Sequence, residues 1–197
     1  MKFIAITGGI GTGKSTVTKF IREKGYVTID ADEVGHEALK EKEIKMLVSK
    51  EFEIPLDKNG EINRKKLGKI VFSDRKKLNR LNSILHPQIV KMILDKLRSL
   101  SNMEEVFVEA AVLFEMKLDR YADYIIVTDC SDELRMDRIM KREHISRKEA
   151  MLRIKTQLSR EDFLKRADYV INTSKSLQYT LNQVSILLQL KPWSDKI

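Results

Sequence analysis

Gly8-Gly9-Ile10-Gly11-Thr12-Gly13-Lys14-Ser15 constrains this chain more than any other stretch. It fits the pattern G-x-x-x-x-G-K-[ST], which is informative only between a strand and a helix. Both neighbours are in place. Lys2 to Thr7 is short, apolar and rich in β-compatible residues, so it reads as a buried strand. From Lys14 to Lys24 the apolar residues Val17, Phe20 and Ile21 recur at i, i+3, i+4, the stripe of an amphipathic helix. Gly25 stands where a helix end favours a left-handed residue, and Tyr26 to Ile29 reads as a second strand. Strand, glycine loop, helix, strand opens an α/β domain with a parallel sheet. A dinucleotide-binding G-x-G-x-x-G starting at Gly9 would need glycine at position 14, where lysine stands.

Each residue type in the loop has a physical task. Glycines let the backbone turn so that successive N–H groups face one cavity, and the following helix start adds its own amides and dipole. Lys14 is suited to the β- and γ-phosphate oxygens, and the Ser15 hydroxyl to Mg²⁺.

The rest of the chain reads as helices and short strands without repeats or linkers. A helix is expected over about 36–50, a loop near 55–60, and further helices over 64–72, 75–85 and 88–100, with Pro87 in a first helical turn. This run is too long for one crossover, so residues 34–102 read as a helical insertion after the second strand. Strands are expected at 106–109, 124–128 and 169–171, with helices at 133–142, 147–158 and 177–190. The fold class is therefore α/β, with five strands flanked by helices in a single domain spanning 1–197.

The longest apolar runs fall far short of the roughly 20 residues that cross a bilayer, and the apolar start is too short for a signal peptide. Cys130 is the only cysteine, which excludes an internal disulfide and a multi-cysteine metal site. A cytoplasmic protein without a membrane partner is expected. The net charge is +8, but Lys and Arg are interleaved with Asp and Glu on nearly every helix. There is no aromatic stacking platform for single strands, so no nucleic-acid partner is expected.

Candidate chemistry gathers at strand ends, because ligands of open parallel sheets bind beyond the carboxyl ends of the strands. Asp30 and Asp32 end the second strand, which the usual βαβ layout would set beside the first. One could accept or orient the proton of a hydroxyl acceptor, the other could hold Mg²⁺, and either could instead cap the next helix. Glu109 and Asp129 end later strands, and Glu115 follows Val112-Leu113-Phe114 in a turn. Arg135, Arg138, Lys141 and Arg142 share one helix face, with Arg153 on the next helix. Such a face is commonly solvated surface. After the fourth strand of a phosphate-loop protein it is also where Arg138 or Arg142 could stabilise charge on a transferred phosphoryl group.

Taken together, Thr7 to Thr16, Ile29-Asp30-Ala31-Asp32, Arg64 through Leu67 to Val71-Phe72, Leu81, Ile84, His86-Pro87, Leu113-Phe114-Glu115, Arg138 to Arg142, Arg153 to Gln157, Ala167-Asp168 and Val170-Ile171 resemble the dephospho-CoA kinases over nearly the whole chain. The resemblance implies a P-loop NTPase core with a five-stranded parallel sheet, an insertion (34–102) that binds the acceptor, and lid helices (131–167). It implies transfer of the γ-phosphoryl group of ATP to the ribose 3′-hydroxyl of dephospho-CoA. On that reading Gly9, Gly11, Thr12, Gly13, Lys14, Ser15 and Thr16 bind ATP, Ser15 and Asp30 hold Mg²⁺, and Asp32 is the base. Arg64, His86 and Glu115 belong to the acceptor side, and Arg142 to the lid. The chain departs from the family pattern at Glu109, Ala111, Arg135 and Asn172 to Lys175. A nucleoside monophosphate kinase with another acceptor, and a basic nucleic-acid-binding ATPase, remain alternatives from the residues alone. A GTP switch lacks its N-K-x-D motif here.

Overall fold

The apolar segments of the sequence become one sheet. In the computed structural model, which describes residues 1–194, β1 (Lys2–Thr7), β2 (Val27–Asp30), β3 (Glu105–Glu109), β4 (Tyr124–Asp129) and β5 (Tyr169–Asn172) are all parallel. Their order is β2-β3-β1-β4-β5. Consecutive residues Phe3 to Ile6 are all buried, so both faces of β1 are covered, as parallel sheets require. Residues 195–197, the end of the expected 1–197 domain, lie outside the described residues.

The expected placement of the second strand beside the first is corrected, since β3 lies between them. The reason is burial. Val106, Phe107 and Val108 are fully buried and need a neighbour on each side, whereas β2 is short and mostly half-buried. The more apolar strand takes the inner position and β2 takes the edge.

The chain divides into two units, Met1–Asp30 with Leu100–Ile197, and Ala31–Ser99. The first holds the sheet and the helices α1 (Lys14–Glu23), α6 (Asp132–Glu143), α7 (Arg147–Lys155), α8 (Arg160–Lys165) and α9 (Leu177–Leu190). Its core joins Ile4, Ile6, Phe107 and Ile126 of the sheet to Val17 and Ile21 of α1 and Val184 and Leu187 of α9. Trp193 closes it, fully buried, with ring centroids 5.6 Å from Phe107 and 5.7 Å from Tyr124. Its indole N–H donates to Glu105 Oε2 at 2.6 Å, which satisfies the one polar atom of that side chain.

The second unit is helical: α2 (Ala31–Ala38), α3 (Lys42–Glu51), α4 (Arg64–Phe72) and α5 (Arg75–Ser99). The helix expected over 36–50 is two helices, the first starting at Ala31. The helices expected over 75–85 and 88–100 are one, running through Pro87. Proline removes the N–H that would bond the Ser83 carbonyl. The helix continues because Leu81, Ile84, Leu85, Ile89, Ile93 and Leu97 form one buried stripe across that point. The structure also adds α8, over a stretch to which no element was assigned from sequence. Ser159 Oγ accepts the Asp162 amide at 3.1 Å, so Ser159-Arg160-Glu161-Asp162 is an N-cap signature present in the sequence.

Candidate active site

The site is built on the loop between β1 and α1. Five successive carbonyls of that loop each accept a side-chain donor. Lys14 Nζ bonds Gly8 O at 2.8 Å and Gly9 O at 3.2 Å, and Thr12 Oγ1 also bonds Gly9 O at 2.8 Å. Arg135 Nε holds Ile10 O at 3.1 Å, Arg138 Nη1 holds Gly11 O at 3.2 Å, and Thr173 Oγ1 holds Thr12 O at 2.8 Å. Fixing the carbonyls on the protein side orients the peptide planes of the loop. The amides of Lys14, Ser15 and Thr16 open α1, where an α-helix offers no carbonyl partner. Such a loop-and-helix start favours an anion.

Two glycines are dictated by this packing. Gly8 has φ +145° and a Cβ there would lie 2.5 Å from the Thr128 carbonyl. Gly11 has φ +81° and a Cβ would lie 2.9 Å from the Arg135 carbonyl. No other residue type satisfies both the backbone and the space.

Because every strand is parallel, their carboxyl ends share one edge with the loop. Asp30 ends β2 in register with Glu109, which ends β3. Asp129 ends β4 and takes the Arg160 guanidinium in a fork, with bonds of 2.8 and 2.6 Å. That pairing holds the Arg160 charge more firmly than usual. The Cys130 thiol is buried and its pKa is pushed up by that burial, so it stays protonated and unreactive near neutrality.

Of the two arginines singled out by position, Arg138 is half-buried against the loop and also bonds Thr173 O at 2.6 Å and Thr173 Oγ1 at 3.0 Å. Arg142 is exposed on the same helix and pairs with Glu143 at 2.6 Å. Glu143 also pairs with Arg153. Ser15 and Thr16 are exposed at the start of α1, and Glu115 is exposed in the turn after β3. Asp32 is exposed in the first turn of α2, immediately after β2 in the chain. Arg64 opens α4 and His86 lies half-buried in α5, both in the 31–99 unit. The structure thus gathers the loop, Lys14 and Arg138 into one network.

Arg135, Gln157 and Thr173 belong to the same network, although their spacing did not mark them as site residues. Arg135 is buried, with its Nη1 on Asp132 at 2.8 Å. A buried arginine within a helical charge stripe carries no distinguishing sequence mark. Gln157 and Thr173 are single polar residues beyond helix and strand ends, and only tertiary contact shows their part.

Comparison with known proteins shows the family and the fold of the chain. The family model for dephospho-CoA kinase (CoaE) matches residues 2–178. The dephospho-CoA kinase of Carboxydothermus hydrogenoformans is 37% identical over 199 residues, covering 99% of this chain and 97% of that protein. Among solved structures, TT1252 from Thermus thermophilus superposes with TM-score 0.79 at 30% identity, covering 97% of each chain. The dephospho-CoA kinase from Campylobacter jejuni superposes with TM-score 0.74 at 28% identity, covering 99% of this chain and 100% of that one.

Proposed function

The chain belongs to the dephospho-CoA kinase family, which performs the final step of coenzyme A biosynthesis, and from that premise we propose the following roles for its residues. ATP and dephospho-CoA are the substrates, and the γ-phosphoryl group passes to the ribose 3′-hydroxyl. The observation that carries this reading is the loop whose carbonyls are all held on the protein side, joined to the start of α1.

The amides of the loop and helix start, with Gly9, Gly11, Thr12, Gly13, Ser15 and Thr16, receive the triphosphate. Lys14 moves from the loop rim to the β- and γ-phosphates, exchanging bonds to two neutral carbonyls for bonds to anionic oxygens. Asp32 accepts or orients the proton of the attacking hydroxyl, a contribution of about 10²–10⁴-fold in rate. Arg138 lends charge beside the phosphates, and Arg142 closes over them from the lid segment 131–167. Closure excludes water and limits ATP hydrolysis. Arg64, His86 and Glu115 act on the acceptor side, and the 34–102 insertion binds the acceptor.

The donor set suits Mg²⁺. The hydroxyl of Ser15 and the carboxylate of Asp30 are hard oxygens. No cluster of three or more His, Cys, Asp or Glu side chains able to hold a metal occurs among the described residues. Mg²⁺ with a nucleotide takes one or two protein oxygens and keeps its waters, so a sparse set fits. When bound, the ion supplies neutralisation of the β- and γ-phosphate charge.

No described helix is long and apolar enough to cross a membrane, and we place the enzyme in the cytoplasm without a nucleic-acid partner. The test is ADP release with dephospho-CoA against a panel of nucleoside monophosphates. Release stimulated by dephospho-CoA alone supports the reading. Stimulation by a nucleoside monophosphate instead would assign a different acceptor.

A further inference from the structure

One residue of the phosphate loop is held through both its backbone N–H and its backbone carbonyl by the segment that carries the lid helices. The Ile10 N–H donates to Gln157 Oε1 at 2.7 Å, and the Ile10 carbonyl accepts from Arg135 Nε at 3.1 Å. The same Gln157 oxygen also accepts Arg135 Nη2 at 3.4 Å. Ile10, Gln157 and Arg135 therefore close a ring. Asp132 fixes the far side of the guanidinium at 2.8 Å, and the Arg135 side chain is only 4% exposed. A Cβ at Gly9 would lie 2.3 Å from Arg135 Nη2, so the guanidinium lies flush against the loop. Gln157 sits between α7 and α8, 147 positions from Ile10, so this contact is tertiary and not a local turn preference.

We propose that Gln157 is a positioning residue for the triphosphate. It holds the Ile10 backbone and Arg135 in the phosphate-receiving arrangement, and it ties that arrangement to the helix bearing Arg138 and Arg142. This rests on the loop being the ATP site. The opposite role has the opposite sign. A carboxamide that only occupied the Ile10 N–H in place of a phosphate oxygen would be expelled by ATP, and its loss would tighten binding. The ring argues for positioning, because expelling Gln157 breaks its bonds to both Ile10 and Arg135. Arg135 would then hold the Ile10 carbonyl braced by Asp132 but no longer by Gln157.

The test compares Gln157→Met, which keeps length and removes the acceptor, with Gln157→Glu, which keeps an accepting oxygen beside Arg135. ATP is titrated by calorimetry with no acceptor present, so the result is independent of whether dephospho-CoA is the acceptor. Loss of this hydrogen-bonded brace is expected to raise the ATP Kd about tenfold in the Met variant, with the Glu variant within about threefold of wild type. In turnover, the ATP KM rises with the Kd, while kcat and the KM for dephospho-CoA stay within about threefold. A Met-variant Kd that rises by less than about threefold or tightens, or an equal loss in both variants, overturns the proposal. Should the Met variant fail to fold, Gln157→Asn, one methylene too short, is titrated in its place with the same thresholds.

Discussion

Replacing Arg138 by Met separates two ways in which that arginine can serve the reaction. Methionine keeps the apolar stem and removes the guanidinium. The Gly11 carbonyl and the Thr173 carbonyl then lose donors at 3.2 and 2.6 Å, and Thr173 Oγ1 loses one at 3.0 Å. Hydrogen bonds to charged groups contribute about 1.5–3 kcal/mol each, and the half-buried position puts these at the lower end, so losing the three costs about 4.5 kcal/mol. For a chain of this length about 1 kcal/mol moves the midpoint by about 2–4 °C, giving a Tm lower by about 9–18 °C. The assay is scanning calorimetry with neither substrate present, followed by ATP titration of the folded variant. If Arg138 acts through the loop, the Tm falls and ATP binding weakens together. A Tm within about 2 °C of wild type would refute the calculation and leave Arg138 with contacts to the phosphates alone.

Other expectations follow from the same geometry. Asp32→Asn should lower kcat by about 10²–10⁴-fold while the ATP Kd stays unchanged, and a near wild-type kcat removes Asp32 from the chemistry. Gly8→Ala places a methyl group 2.5 Å from a backbone carbonyl at φ +145°, so it should abolish measurable ATP binding and lower the Tm; normal binding would contradict the close packing of the loop on Thr128. The Cys130 pKa is raised in the folded protein, so the thiol keeps its proton there after the unfolded chain has lost its own. Its contribution to stability is therefore complete below the ordinary thiol range and fades as pH rises through and above it. Urea unfolding of Cys130→Ala should show a smaller alkaline loss than wild type, and identical slopes would contradict a buried thiol.

The sequence revealed what depends on local pattern. The loop, β1 and α1 are legible because glycine spacing, an apolar run and a 3.6-residue stripe coincide within the first 24 residues. What it did not reveal depends on competition between segments. Nothing within Tyr26 to Asp32 says that β3 will displace β2 to the edge; that follows from Val106 to Val108 being the more completely buried strand. Pro87 suggested a boundary by its local chemistry, and a buried stripe on both sides overrode it. At the site, Lys14, Thr12 and Arg138 were named from sequence, but the two other donors that hold loop carbonyls, Arg135 and Thr173, were not named as site residues. Arg135 looks like its exposed neighbours Asp132 and Arg142 in a string of charges, and only folding shows that it is buried while Arg138 is half-buried against the loop and Arg142 exposed. The resemblance to the dephospho-CoA kinases supplied the acceptor, which no spacing of residues encodes.

The most direct measurement is the position of the new phosphate. The protein is incubated with ATP, Mg²⁺ and dephospho-CoA, and the product is resolved by phosphorus NMR beside counted ADP. The expected result is one ADP for each new phosphomonoester, all of it on the ribose 3′-hydroxyl. ADP formed equally without dephospho-CoA, or phosphate carried at any other position, would contradict it.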